Sequence, residues 1–175
     1  MAIQIVKTDI TTLDVDVIVN AANSALKGGG GVDGAIHAAA GPELAVEASK
    51  YAPLETGGVV TTAGYKLKAK NVIHTVGPIW KDGEQSEHIL LARCYKNALA
   101  EADKLGARSI AFPAISTGVY GFPCAEAAFV AMITVMNLEK LYPDLEINMV
   151  CFDEQMYETY KAVSVILDAK TKPLL

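Results

Sequence analysis

Short apolar runs alternate along this chain with segments of helical period, and that alternation limits the fold more than any other feature. The runs cover residues 3–6, 15–20, 57–63, 71–76, 109–112 and 146–152, and are four to seven residues long. Such runs suit strands buried in a parallel or mixed sheet. Between them, apolar residues recur at three- and four-residue steps. Residues 32–40 place Val32, Ile36, Ala39 and Ala40 on one helix face, and residues 86–105 repeat Leu91, Tyr95, Ala98, Ala102 and Leu105. Residues 124–141 and 154–167 are the last two predicted helices. Gly41 fits a helix C′ position, and Pro42 fits the first position of a further short helix. The alternation predicts an α/β fold whose central sheet is covered on both faces. A length of 175 residues without repeats or low-complexity linkers predicts one domain over residues 1–175.

Charge removes several function classes. Lys plus Arg number 15 and Asp plus Glu number 20, a formal net charge of −5. Nonspecific nucleic-acid binding needs a basic footprint, and so does a polybasic membrane surface. Neither nucleic acid nor membrane is expected as a partner. The longest apolar run, residues 127–133, is seven residues, against about 20 for a membrane span. No basic stretch precedes an apolar one at the N-terminus, so no signal peptide is expected. Cys94, Cys124 and Cys151 are widely spaced, with no C-x-x-C pair, which fits a reducing cytoplasm. His37, His74 and His88 show no metal-ligand spacing. No metal and no cofactor is expected. His37 and His74 read as helix-face and strand-core histidines, His88 as a solvent-facing helix residue, and Trp80 as packed under a loop. The apolar stripes are consumed by packing, so a monomer is expected.

In open α/β sheets ligands sit beyond the carboxyl ends of the strands. Four predicted segments lie there: Asp9-Ile10, residues 20–34, residues 113–123, and Asp153. The second holds Gly28-Gly29-Gly30-Gly31 just before a helix. A glycine run is costly in chain entropy, and its use is close backbone approach to a ligand. Exposed N–H groups at a helix N-terminus bind anions such as phosphate. The spacing Gly29-x-Gly31-x-x-Gly34 matches a dinucleotide fingerprint, but eight residues separate Asn20 from Gly29, where the fingerprint starts directly after a strand. The ATP-type loop is absent, and no G-x-S-x-G surrounds Ser116. Ser116-Thr117-Gly118-Val119-Tyr120-Gly121 forms a second candidate cradle, again without Lys or Arg. Two such cradles suggest a ligand with two phosphates and a recognised nucleoside. Asp9 can accept from an exocyclic amine such as adenine N6, and Phe152 can stack on a base.

Four blocks together resemble a known family. They are Asn20-Ala21-Ala22-Asn23, residues 28–37, residues 72–78 and residues 112–121. In this order they are similar to macrodomains, most of all to the branch of the MacroD hydrolases and the bacterial O-acetyl-ADP-ribose deacetylases. The resemblance runs over about residues 3–160. It implies a three-layer α/β/α fold with a central mixed sheet, and an ADP-ribose site. It implies that Asp9 and Ile10 meet the adenine, with Phe152 nearby. It places Gly31, Val32 and Gly34, with Ala22 and Gly30, beside the distal ribose and diphosphate. Ser116, Thr117, Gly118, Val119 and Tyr120 match the second diphosphate loop. Asn23 and Asp33 match the catalytic pair of the hydrolytic branch.

Asn23 offers a donor and an acceptor for ribose hydroxyls. Asp33 can orient or deprotonate a water, or polarise a ribose hydroxyl. The nucleotide's own diphosphate can activate the water instead, and both routes stay open at this point. The expected activity is hydrolysis of acyl esters of the distal ribose, in O-acetyl-ADP-ribose or in proteins mono-ADP-ribosylated on Asp or Glu. The alternatives are a non-catalytic ADP-ribose reader and an ADP-ribose 1″-phosphate phosphatase. Thr8 stands where the family commonly has Gly, so the backbone near the adenine is expected to differ. A short segment at residues 50–56 suggests a compact rim, without the ligands of the zinc-containing variant. Cys124 reads as a small residue at a helix start.

Overall fold

The computed structural model describes residues 3–171. The strands are β1 (Ile3–Lys7), β2 (Val17–Ala22), β3 (Val59–Ala63), β4 (Asn71–Val76), β5 (Ser109–Phe112) and β6 (Glu146–Cys151). The helices are α1 (Gly31–Ala40), α2 (Glu43–Ser49), α3 (Glu87–Lys104), α4 (Cys124–Leu138) and α5 (Glu154–Thr171). All six strands join one sheet in the order β1-β6-β5-β2-β4-β3. Among the described residues only β3 runs antiparallel to its neighbour; the other pairings are parallel, so the sheet is mixed as expected.

Strand alternation sorts the two faces. Val17, Val19, Ile73, Ile110, Phe112, Ile147 and Met149 pack on one side against α3, α4 and α5. Ile18, Val72, Ala111 and Val150 pack on the other against Ile36, Ala40 and Leu44 of α1 and α2. That makes three layers, α/β/α. The chain passes from β4 through α3 to β5, crossing β2, so the strand order reverses between β2 and β5. A crevice opens at such a reversal, beyond the carboxyl strand ends.

Several boundaries differ from expectation. β2 starts at Val17 rather than residue 15 and continues past Asn20 to Ala22, because it pairs with β4 along its whole length. α1 starts at Gly31, whose φ of 57° glycine takes without strain. Pro42 is the N-cap of α2 rather than its first residue. α4 ends at Leu138, and a 3-10 turn (Glu139–Leu141) completes the segment before Pro143. β6 stops at Cys151, which leaves Phe152 outside the ladder.

Candidate active site

A cavity of about 600 Å³ lies beyond the carboxyl ends of β2, β5 and β6. It brings together Asp9, Ile10, Ala22, Asn23, Gly30, Gly31, Val32, Asp33, Ser116, Thr117, Gly118, Val119, Tyr120 and Phe152. Gly34 does not line it. A Cβ on Gly34 would collide with the carbonyl oxygen of Gly29, so this glycine lets α1 pack against the loop before it.

The first cradle follows from the start of α1. Gly30 is the N-cap and has no side chain to cap the leading N–H groups. Those groups have no acceptor four residues back and stay available to a ligand. In the second cradle, the N–H groups of Thr117, Gly121 and Phe122 bond to Ala114, Gly118 and Ser116 carbonyls. Those of Gly118, Val119 and Tyr120 make no such bond among the described residues. Ser116 takes a φ of 68°, and its buried Oγ lies against Gly77, where any Cβ would overlap it. Among the described residues no lysine or arginine lines the cavity, so an anion held there is held by backbone dipoles.

Asp33 is 5% exposed, on the sheet-facing stripe of α1 with Ile36 and Ala40. Its Oδ1 accepts from Asn20 Nδ2 at 2.8 Å and lies 3.3 Å from His37 Nε2. Its Oδ2 turns toward Gly29, where a Cβ would lie 3.1 Å from it and 3.4 Å from Asn23 Nδ2. Asp33 and Asn23 therefore border the same point of the cavity. Asn23 is partly committed to shaping the loop: Nδ2 donates to Gly28 O at 3.1 Å, and Oδ1 accepts from Leu26 N at 3.1 Å. Its second amide hydrogen is what it can offer a ribose.

At the far end, Asp9 caps a 3-10 turn (Ile10–Thr12), accepting from Thr11 N at 2.9 Å and Thr11 Oγ1 at 2.7 Å through Oδ1 alone. Ile10 is buried below it, and Phe152 is 84% exposed on the rim. Thr8 needs no positive φ; its N–H donates to Cys151 O at 3.1 Å and extends the β1·β6 ladder. Ala21, within residues 20–34, lines the cavity too, and so do Gln155, Met156, Ala35, Gly77 and Cys124, for which the sequence suggests no ligand contact.

The remaining histidines divide. His74 is a fully buried strand residue, as expected. His37 is on a helix face but also approaches Asp33. His88 is a solvent-facing helix residue, as expected, with 42% of its side chain exposed; one edge of its ring also meets Trp80 and Phe122, and Nε2 lies 2.8 Å from Glu126 Oε2. Trp80 does pack under a loop, since a Cβ on Gly83 would lie 2.9 Å from its ring. Among the described residues no group of His, Cys, Asp and Glu is arranged to hold a metal. No helix there is long and apolar enough to cross a membrane.

Glu87 carries no functional signal in the sequence. It is 1% exposed, and Oε2 accepts from the N–H groups of Lys81, Asp82 and Gly83 at 3.0, 3.2 and 2.9 Å. Oε1 accepts from Gln85 N at 2.5 Å. The clamped loop leads from Trp80, whose N–H donates to Tyr120 O at 2.8 Å and whose ring lies 4.7 Å from that of Phe122. Glu87 therefore braces the second cradle. Burial pushes its carboxyl up, but the N–H groups of Lys81, Gly83 and Gln85 outweigh this and hold it at about 2, against an ordinary 4.5. A folded value below the unfolded one stabilises the fold above pH 4.5, and the contribution is lost as pH falls through about 2. Glu87→Gln should lower Tm by several degrees at neutral pH and flatten the acid decline in Tm between pH 4.5 and 2. Thermal melts across that range check both.

Comparison with known proteins gives a consistent set. The Macro domain family model matches residues 19–131. A Salmonella typhimurium protein named O-acetyl-ADP-ribose deacetylase is 52% identical over 165 residues, covering 90% of this chain and 91% of its own. A macro domain-containing protein of Listeria monocytogenes is 53% identical over 167 residues, covering 91% and 95%. Among solved structures, the Oceanobacillus iheyensis macrodomain with ADP superimposes with a TM-score of 0.93 at 43% identity, over 96% of this chain and 92% of that one. The Trypanosoma brucei macrodomain in complex with ADP-ribose gives 0.86 at 41% identity, over 93% and 69%.

Proposed function

The chain belongs to the macrodomain family, and on that premise we propose that it is a hydrolase that binds ADP-ribose and cleaves acyl esters of its distal ribose. The observation that carries this reading is Asp33: one carboxylate oxygen is tied down in the core, and the other faces the cavity between two backbone cradles. A reader of ADP-ribose needs the cradles but has no use for a buried acid held in that way. The names of the relatives agree, one being called an O-acetyl-ADP-ribose deacetylase and a solved neighbour holding ADP-ribose.

In this reading the adenine lies at Asp9, Ile10 and Phe152. The diphosphate spans the N–H groups of Gly31 and Val32, beside Gly30 and Ala22, and those of Gly118, Val119 and Tyr120, with Ser116 and Thr117 shaping the turn. The distal ribose reaches Asn23 and Asp33. Water attacks the acyl carbon, the bond from that carbon to the ribose oxygen breaks, and the departing oxygen takes a proton. Asp33 Oδ2 either accepts the proton of the water or holds a ribose hydroxyl while the diphosphate activates the water. The leaving acyl group is acetate or, by the same chemistry, a protein Asp or Glu side chain.

The test offers the purified protein O-acetyl-ADP-ribose, a protein mono-ADP-ribosylated on glutamate, and ADP-ribose 1″-phosphate in parallel. The expected result is ADP-ribose released from the two acyl esters. ADP-ribose binding without turnover of any of them would make the protein a reader. Turnover of the phosphate ester alone would make it a phosphatase.

A further inference from the structure

We propose that His74 and Thr62 are positioning residues for Asp33, acting through the amide of Asn20. This rests on reading Asp33 as the reactive carboxylate of the cavity. Three adjacent strands each turn one polar side chain onto the face covered by α1 and α2. Asn20 on β2 and His74 on β4 are register partners, and Thr62 lies on β3 beside them. All three are buried at 1% exposure or less.

Their hydrogen bonds can be assigned in one direction only. Asn20 Nδ2 has two hydrogens; it lies 2.8 Å from Asp33 Oδ1 and 3.1 Å from His74 Nδ1. A carboxylate only accepts, so the NH₂ group must face Asp33. His74 Nδ1 must then also accept, which puts the imidazole hydrogen on Nε2. Thr62 Oγ1, 2.9 Å from Nε2, accepts that hydrogen and passes its own to Ala63 O at 3.1 Å. Burial, with His37 nearby, pushes the His74 pKa down to about 4, so the ring is neutral near pH 7.

The opposite imidazole tautomer would set N–H against N–H at Asn20. A rotated Asn20 amide would set oxygen against both the carboxylate and the imidazole lone pair. Thr62 thus fixes the tautomer of His74, His74 fixes the amide of Asn20, and Asn20 fixes Oδ1 of Asp33. What remains is Oδ2, aimed at the cavity. The arrangement has a cost: Asn20 Oδ1 is buried with no partner among the described residues. Its neighbours on the same strand face, Ile18 and Ala22, show that apolar residues fill such positions readily. Orientation of the carboxylate is the return on that cost.

The experiment measures kcat and KM on O-acetyl-ADP-ribose, Kd for ADP-ribose, and Tm. The variants are Thr62→Val, His74→Leu, His74→Asn, Asn20→Leu and the Asn20→Leu/His74→Leu double, with Asp33→Ala as reference. Misaiming a reacting group from a distance costs on the order of 10- to 100-fold in rate. His74→Leu should lose kcat on that scale, and Thr62→Val somewhat less, with KM and Kd near the parent values. His74→Asn, which returns an acceptor near the Nδ1 position, should recover most of the loss. The double variant should be no slower than Asn20→Leu alone, since both act on one carboxylate.

Parent-like kcat in Thr62→Val and His74→Leu overturns the proposal, and so do losses that add in the double variant. A rise in KM and Kd that merely follows Tm overturns it too. If Asp33→Ala itself keeps full activity, the catalytic reading falls and this one with it. If only the His74 and Thr62 variants stay parent-like, this one falls alone.

Discussion

Asp33→Ala should reduce hydrolysis of O-acetyl-ADP-ribose by roughly 100- to 10,000-fold, the range over which a positioned acid or base contributes, while ADP-ribose still binds. The separation of the two effects follows from where the groups sit. In the proposed reading, ligand affinity comes from backbone N–H groups at the start of α1 and in residues 118–120, which the substitution does not touch. Asp33 contributes one oxygen at the floor of the cavity. The variant also leaves the Asn20 amide without its acceptor, which costs about 1–3 kcal/mol of stability, so Tm should fall without loss of the fold. Initial rates and calorimetric binding on the same preparation check the separation. Asp33→Asn then divides the two routes to the water. An amide can still hold a ribose hydroxyl but cannot take a proton, so a variant near Asp33→Ala in rate points to proton transfer. A variant near the parent points to positioning alone.

Gly34→Ala should damage both stability and binding, although the added methyl never enters the cavity. Its Cβ would overlap the carbonyl oxygen of Gly29, and that oxygen belongs to backbone, which cannot swing aside as a side chain would. Overpacking of this kind costs about 1–3 kcal/mol. Relief requires the segment around Gly29 to move, and a Cβ at Gly29 would already meet Asp33 Oδ2 and Asn23 Nδ2. The first cradle should therefore shift against α1 and weaken ADP-ribose binding about 10-fold or more, equivalent to about 1.4 kcal/mol or more. Gly30→Ala is the contrast for folding: its Cβ would meet nothing within 4 Å, and its φ is −95°. Its Tm should fall only by the cost of a poorer N-cap, and less than that of Gly34→Ala. Equal melting of the two variants would contradict the packing role given to Gly34.

How far the sequence could be read depended on whether a residue's role follows from its local neighbours. The helices and most strands were legible because apolar periodicity is a local signal, and the glycine run marked the first cradle for the same reason. Asn20 was read as the end of a strand, since a polar residue interrupting an apolar run looks like a boundary. It continues the strand instead, and the partner that completes it, Asp33, comes from a helix laid across the sheet. One signal was available: Asn20, His74 and Thr62 each occupy a core-facing position of a period-two strand. The resemblance places Gly34 beside the ligand; the sequence shows a glycine there without showing that the Gly29 carbonyl is what approaches it. Glu87 left no sequence signal beyond an acid in the first turn of a helix, because its partners are backbone N–H groups of a loop whose path only the fold sets. The exposure of His88 follows from its helical position, but its ring contacts with Trp80 and Phe122 come from other segments and left no local signal.

The most direct test of the central claim is turnover of O-acetyl-ADP-ribose in ¹⁸O-labelled water, with the released acetate weighed by mass spectrometry. Attack of water on the acyl carbon places one labelled oxygen in each acetate, and that is the expected result. Acetate released without label would mean that the bond on the ribose side had broken. That result, or no acetate at all, would contradict an acyl hydrolase built around Asp33.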